Sequence, residues 1–165
     1  MILRTSRFFP EPDDRDDVRT AFEDANLKVN ELLYRRVDIE DVVSAHRLAL
    51  ARAEAIGFGR YIISATTPFT RADLAELRTD APAVVARHAP AFAELYDRLG
   101  WRMFDAIERV YVNAAARRDL GWTPRYDVAY ALERLAAGAD WRSALTHAIG
   151  AKGYHAESTG VYTVR

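Results

Sequence analysis

At 165 residues with a net charge of -1, half of them apolar or aromatic and 28% charged, the chain has the composition of one globular domain. That balance argues against a nucleic-acid or membrane surface as the main partner, and the absence of cysteine excludes disulfides, thiolate catalysis and thiolate zinc sites. The opening MILRTSRFFPEPDD has neither the apolar core nor the cleavage site of a signal peptide, and no apolar run is long enough to span a bilayer, so the expected compartment is the cytoplasm.

Ile2 to Phe9 is a predicted strand, ended by Pro10-Glu11-Pro12 because proline gives no ladder donor and fixes φ. With nothing before it, the strand reads as an interior one whose upstream neighbours are missing. Asp16 or Asp17 caps an expected helix from Val18 toward Leu33. The run Asp13, Asp14, Asp16 and Asp17 lacks the spacing of a calcium loop and reads as a solvated turn. Arg35 to Ile39 alternates as a short strand and passes at Glu40-Asp41 into an amphipathic helix. In that helix Val42, Val43, Ala45, His46, Ala49 and Leu50 recur at helical spacing, and Asp41 is placed to cap it. The helix continues to about Ala55, and Gly57 and Gly59 end it.

Arg60 to Ala65 is a strong β-run, followed by a Thr-Thr-Pro-Phe loop in which Thr70 is a plausible N-cap. Pro82 to Leu99 reads as helix in two pieces split by Pro90 and closed by Gly100-Trp101. Ile107 to Val112 is a short predicted strand, and Ala114 to Leu120 a helix with Gly121 as its C-cap. Helices are expected again over Asp127 to Ala137 and Asp140 to Ile149. In the tail, Gly160 to Val164 reads as an edge strand or a disordered end. No repeat or linker divides the chain, so residues 1–165 are expected to form one domain.

From Val37 to Leu50 the strand-to-helix segment resembles, without a gap, the pattern R-D-Y-I/V-H-V-x-D-L/V-A-x-A-H-x-x-A-L of extended short-chain dehydrogenases/reductases, the NAD-dependent nucleotide-sugar epimerase/dehydratase family. Asp41, Ala45, His46, Ala49 and Leu50 fall on its repeated positions. About 70 residues later, Leu120-Gly121-Trp122-Thr123-Pro124 resembles that family's closing signature D-x-S/T-K-A/V-x-x-x-L-G-W/F/Y-x-P. Asn113 stands in the Asp place and Ala116 in the Lys place, so two polar positions depart from it. The resemblance covers roughly Ile2 to Leu135. It implies an α/β fold: the last strands of a Rossmann-like sheet plus a mainly helical substrate-binding lobe.

Complete enzymes of that family hold NAD or NADP on a glycine-rich turn and abstract a proton with a tyrosine that has lysine at +4. Neither feature is here. The lysines are Lys28 and Lys152, with Asp24 and Ala148 four residues before them; the scarcity of lysine among 23 basic residues suggests a GC-rich bacterial genome. Gly150 to Ala156 matches G-x-x-G-x-x-A but follows a predicted helix instead of the first strand of a βαβ unit. No metal site or nucleophile elbow is legible: His46, His88, His147 and His155 lack ligand spacing, and G-x-S-x-G is absent.

The resemblance assigns no catalytic residue and points to a set that could touch substrate. Arg7 takes the place of an asparagine that contacts the substrate diphosphate, in the register of Ile2-Leu3-Arg4 on the family strand V/I-L/I/V-R-x-x-N. Arginine suits a diphosphate, which it grips with parallel N–H donors; the alternative is a solvated arginine at a strand end. Tyr34 takes the place of a pyrophosphate-binding arginine, with Arg35 and Arg36 next along; the alternative for these is exposed strand charge. Arg102 and Arg109 flank the place of another substrate-facing arginine. Asp41 and His46 read as helix cap and packing residue, Trp101 and Trp122 as core.

The expected function is therefore the nucleotide-sugar-binding portion of an NAD(P)-dependent epimerase/dehydratase-like oxidoreductase, inactive alone and binding no cofactor by itself. The alternatives are a non-catalytic ligand-binding or interaction module, or half of a split enzyme completed in trans by a Rossmann-half partner. Truncation leaves sheet edges uncovered, so a homo-oligomer is expected.

Overall fold

The computed structural model describes residues 1–10, 12–13 and 15–149. Among them the sheet is one parallel pair, β1 (Ile2–Thr5) and β2 (Arg60–Ile63), running in register from Ile2 opposite Arg60 to Thr5 opposite Ile63. Between the strands lie α1 (Asp16–Ala21), α2 (Asp24–Leu32) and α3 (Ile39–Ile56). After β2 come two 3-10 turns, Arg71–Leu74 and Glu76–Arg78, then α4 (Ala81–His88), α5 (Phe92–Leu99), α6 (Ala114–Leu120), α7 (Val128–Ala136) and α8 (Ala144–Ile149). The fold is α/β and mainly helical. No helix among the described residues is long and apolar enough to cross a membrane.

Two apolar clusters hold these elements. Tyr61 and Ile63 of β2 pack with Val42, Ala45 and Ala49 of α3, with Ala116 and Leu120 of α6, and with the fully buried Trp122. Leu32 and Leu33 at the end of α2 pack instead with Leu77, Val84, Val85, Tyr96 and Ala131. Parallel sheets are normally covered on both faces. Here Leu3 leans on the first cluster, while Ile2, Arg4 and Arg60 on the opposite face stand in solvent. The strand read as interior is thus an edge strand among the described residues.

Several boundaries follow the sequence closely. Pro90 separates α4 from α5, and Gly100 and Gly121 end α5 and α6 with φ of 68° and 66°, a left-handed turn that glycine takes without a Cβ penalty. Asp127 caps α7 by accepting the Tyr130 N–H at 3.0 Å, and Asp73 closes a capping box with Thr70.

Others differ for local reasons. The helix expected from Val18 to Leu33 is two helices, because Phe22 is extended and turns its ring onto Phe104. The strand expected over Arg35–Ile39 shrinks to one parallel bridge, Arg7 to Arg36. The Glu31 carbonyl at the end of α2 takes the N–H groups of both Arg35 (2.8 Å) and Arg36 (3.0 Å), so the chain there is a turn. Asp38, not Asp41, caps α3, accepting the Glu40 N–H at 2.8 Å. Ile107–Val112 forms no ladder: the Ile107 N–H goes to Leu77 O and the Tyr111 N–H to Tyr34 O, two different neighbours. On α3, Val43 and Leu50 are 42% and 81% exposed and His46 is exposed too, so only part of the expected apolar face is core. The Gly150–Ala156 motif and the Gly160–Val164 segment lie outside the described residues.

Candidate functional site

Four of the six candidate residues converge where the chain leaves β1 and α2, and a residue the sequence reading passed over brings them together. The carboxylate of Glu31, in the last turn of α2, has no solvent exposure. It accepts from Arg7 Nη1 at 3.1 Å and Arg36 Nε at 2.8 Å, and it forms ion pairs with Arg35 Nη2 at 2.7 Å and Arg36 Nη2 at 2.8 Å. Arg7 also pairs with the buried Asp13, and Arg36 Nη1 donates to Phe9 O at 3.0 Å. A carboxylate out of water requires such partners, since an unpaired buried charge costs several kcal/mol.

Arg36 is tied to the scaffold, its side chain 9% exposed, so it is not the exposed strand charge of the alternative reading. Arg7 and Arg35 keep 35% of their side-chain surface open, and Arg35 Nε is buried without a hydrogen-bond partner among the described residues. Arg35 also lies 5.1 Å from the centroid of the Tyr34 ring. Burial pushes the Tyr34 hydroxyl up to about 12, so at neutral pH it is a neutral phenol able to donate.

Beside this cluster the buried Lys28 donates to Asp24 at 2.5 Å and to Pro10 O, and burial lowers its ammonium from the ordinary value. Lys28, Arg36 and Arg142 line a cavity of about 30 Å³ with Phe8, Phe9 and Trp141, room for water and not for a sugar.

Arg102 and Arg109 are both exposed and stand apart from the set. Arg102 serves through its backbone: its carbonyl accepts from Asn26 (3.0 Å) and Asn30 (2.9 Å), and its guanidinium covers the Phe22 ring at 4.3 Å. Arg109 shares a shallow depression with Arg78, Ala106 and Glu108. Asp41 is structural as expected, but as a clamp. Its carboxylate accepts the N–H groups of Arg125 and Tyr126 at 2.9–3.0 Å, tying α3 to the turn before α7. Trp122 is core and donates to Ser44 at 2.9 Å; Trp101 is half-buried against the second cluster.

Glu31 was legible in one respect, its i,i+4 spacing to Arg35. Its burial and the approach of Arg7 from another segment were not. The turn leaving β2, Ser64-Ala65-Thr66-Thr67-Pro68, has none of the glycines that let a pyrophosphate approach the backbone, and β1 runs into Phe8-Phe9-Pro10. Among the described residues no group of His, Asp and Glu is arranged to hold a metal. No family model, no curated protein and no solved structure matches the chain.

Proposed function

We propose that the chain is the substrate-binding portion of an oxidoreductase of the NAD(P)-dependent nucleotide-sugar epimerase/dehydratase kind, inactive alone, with the diphosphate of a nucleotide sugar lying against Arg7 and Arg35. The parallel pair β1 and β2 with α3 between them is then the end of a Rossmann-like sheet. The observation that carries the reading is the arginine cluster. Glu31 holds three guanidiniums together, and Arg35 Nε has no hydrogen-bond partner among the described residues. Guanidiniums already oriented by a carboxylate lose little side-chain freedom when they grip an anion in parallel.

A thermal-shift series with UDP- and dTDP-sugars, UDP alone and NAD(H) tests this. A ligand at a hundred times its Kd adds about 2.7 kcal/mol to apparent stability. The expected result is a rise with the nucleotide sugars and UDP, none with NAD(H), and loss of the rise in Arg35→Ala. No rise with any diphosphate at millimolar concentration would remove the reading, and turnover of a nucleotide sugar by the chain with NAD would overturn its inactivity.

The edge and face of β1 that are open among the described residues favour a second reading, a split enzyme completed in trans. Ile2 and Ser6 turn their N–H groups to β2, so Leu3 and Thr5 turn theirs outward, as a further parallel strand requires.

A further inference from the structure

The outer face of α3 carries an exposed strip of apolar and charged residues. Val43, Arg47, Leu50, Ala51 and Glu54 fall within about 100° of arc at 3.6 residues per turn, opposite the buried Val42, Ala45 and Ala49. All five are exposed, Leu50 by 81%, and Phe58 follows just beyond the Gly57 cap at 71%. Neither Arg47 nor Glu54 has an ion-pair partner among the described residues.

The order of these residues is self-complementary. If a second α3 lies antiparallel with the two-fold axis between Leu50 and Ala51, Arg47 meets the second copy's Glu54, Glu54 meets its Arg47, and Leu50 meets its Ala51. Val43 then points toward its Phe58. A two-fold contact needs this property, the same patch serving on both sides. Shape agrees with charge: a depression of about 420 Å³ on the α3 flank, lined by Ser44, Arg47, Leu48 and Ala51, lies where the second copy's Leu50 arrives as a knob. The pairing is also directional. Two parallel α3 helices in register would set Arg47 against Arg47 and Glu54 against Glu54.

We propose that the chain forms a two-fold homodimer through α3, with Leu50 as its central apolar contact and reciprocal Arg47–Glu54 pairs setting the antiparallel register. This contact is separate from the open edge of β1 and does not depend on the anion site. It is small, so the association is weak and reversible.

Sedimentation velocity from about 10 to 500 µM, a range suited to a contact this small, should take the full chain from monomer toward dimer. Leu50→Glu replaces an exposed side chain, so the far-UV spectrum is kept while the chain stays monomeric. Arg47→Glu and Glu54→Arg each place two like-charge pairs across the axis and should weaken self-association at least tenfold. An equimolar mixture of those two variants rebuilds both ion pairs and should associate as well as the parent chain. The proposal is overturned if the parent chain stays monomeric throughout or if the mixture does no better than either variant. It is equally overturned if Leu50→Glu associates undiminished, which would move the contact to the β1 edge.

Discussion

Replacing Glu31 with glutamine removes one charge and almost no volume from the centre of the arginine cluster. The carboxylate is fully buried and meets four guanidinium nitrogens at 2.7–3.1 Å; the amide keeps one acceptor and turns an N–H₂ donor toward guanidinium donors. Removing one member of a buried ion pair costs about 3–5 kcal/mol. Arg7 and Arg35, 35% exposed, can turn part of their charge to water, whereas Arg36 at 9% cannot, so the low end of that range applies, about 3 kcal/mol. For a chain of this size that is a fall in Tm of roughly 6–12 °C. Urea unfolding followed by circular dichroism measures the free energy directly, and an unchanged m value would show that the two-state comparison holds. The double variant Glu31→Gln/Arg36→Met should lose clearly less than the sum of the single losses, since the stranded charge goes with it. A loss below about 1 kcal/mol for Glu31→Gln, the size of a surface pair, would refute the view that Glu31 organises the cluster.

Asp41 makes stability depend on pH. Burial pushes its carboxyl up to about 6, against the Arg125 and Tyr126 N–H groups that favour the charged form. Between the unfolded value of 3.8 and about 6 the folded chain holds a proton that the unfolded chain has released, so stability falls as pH rises through that window. Asp41→Asn should flatten this slope in melts taken from pH 4 to 7, and parallel slopes for both proteins would contradict it. Asp73 is the opposite case, held at about 2 by the Thr70 N–H and O–H and by His88. Thr70→Ala removes the hydroxyl donor, which should raise the Asp73 titration midpoint by NMR; an unmoved midpoint would count against the hydroxyl.

Local chemistry made much of the helical frame legible. Pro90, Gly100, Gly121 and Asp127 each act within a turn of their own position, so their effects can be read from neighbours in the chain. The Arg35–Ile39 strand failed because the Glu31 carbonyl captures two amides that an alternating pattern would assign to a ladder. Asp41 was misread as a cap because its true donors lie 84 and 85 residues away. The candidate site divides in the same way. The arginines stand out as residue types, but their grouping depends on Arg7 reaching a carboxylate 24 residues on, and on the burial of that carboxylate. Arg102 and Arg109 share the residue type and lack the company.

The spacing of the two strands has a kinetic consequence. Ser6 and Ile63, joined across the sheet, are 57 residues apart in the chain. Closing a loop of that length costs roughly 3–4 kcal/mol of chain entropy, and four paired positions return little of it until the surrounding helices are in place. The helices form from local contacts on far shorter timescales. Pairing of β1 therefore belongs to the end of folding, and its opening to the start of unfolding. The same strand whose outer edge and face stand open among the described residues is the one held by the least local structure while it forms.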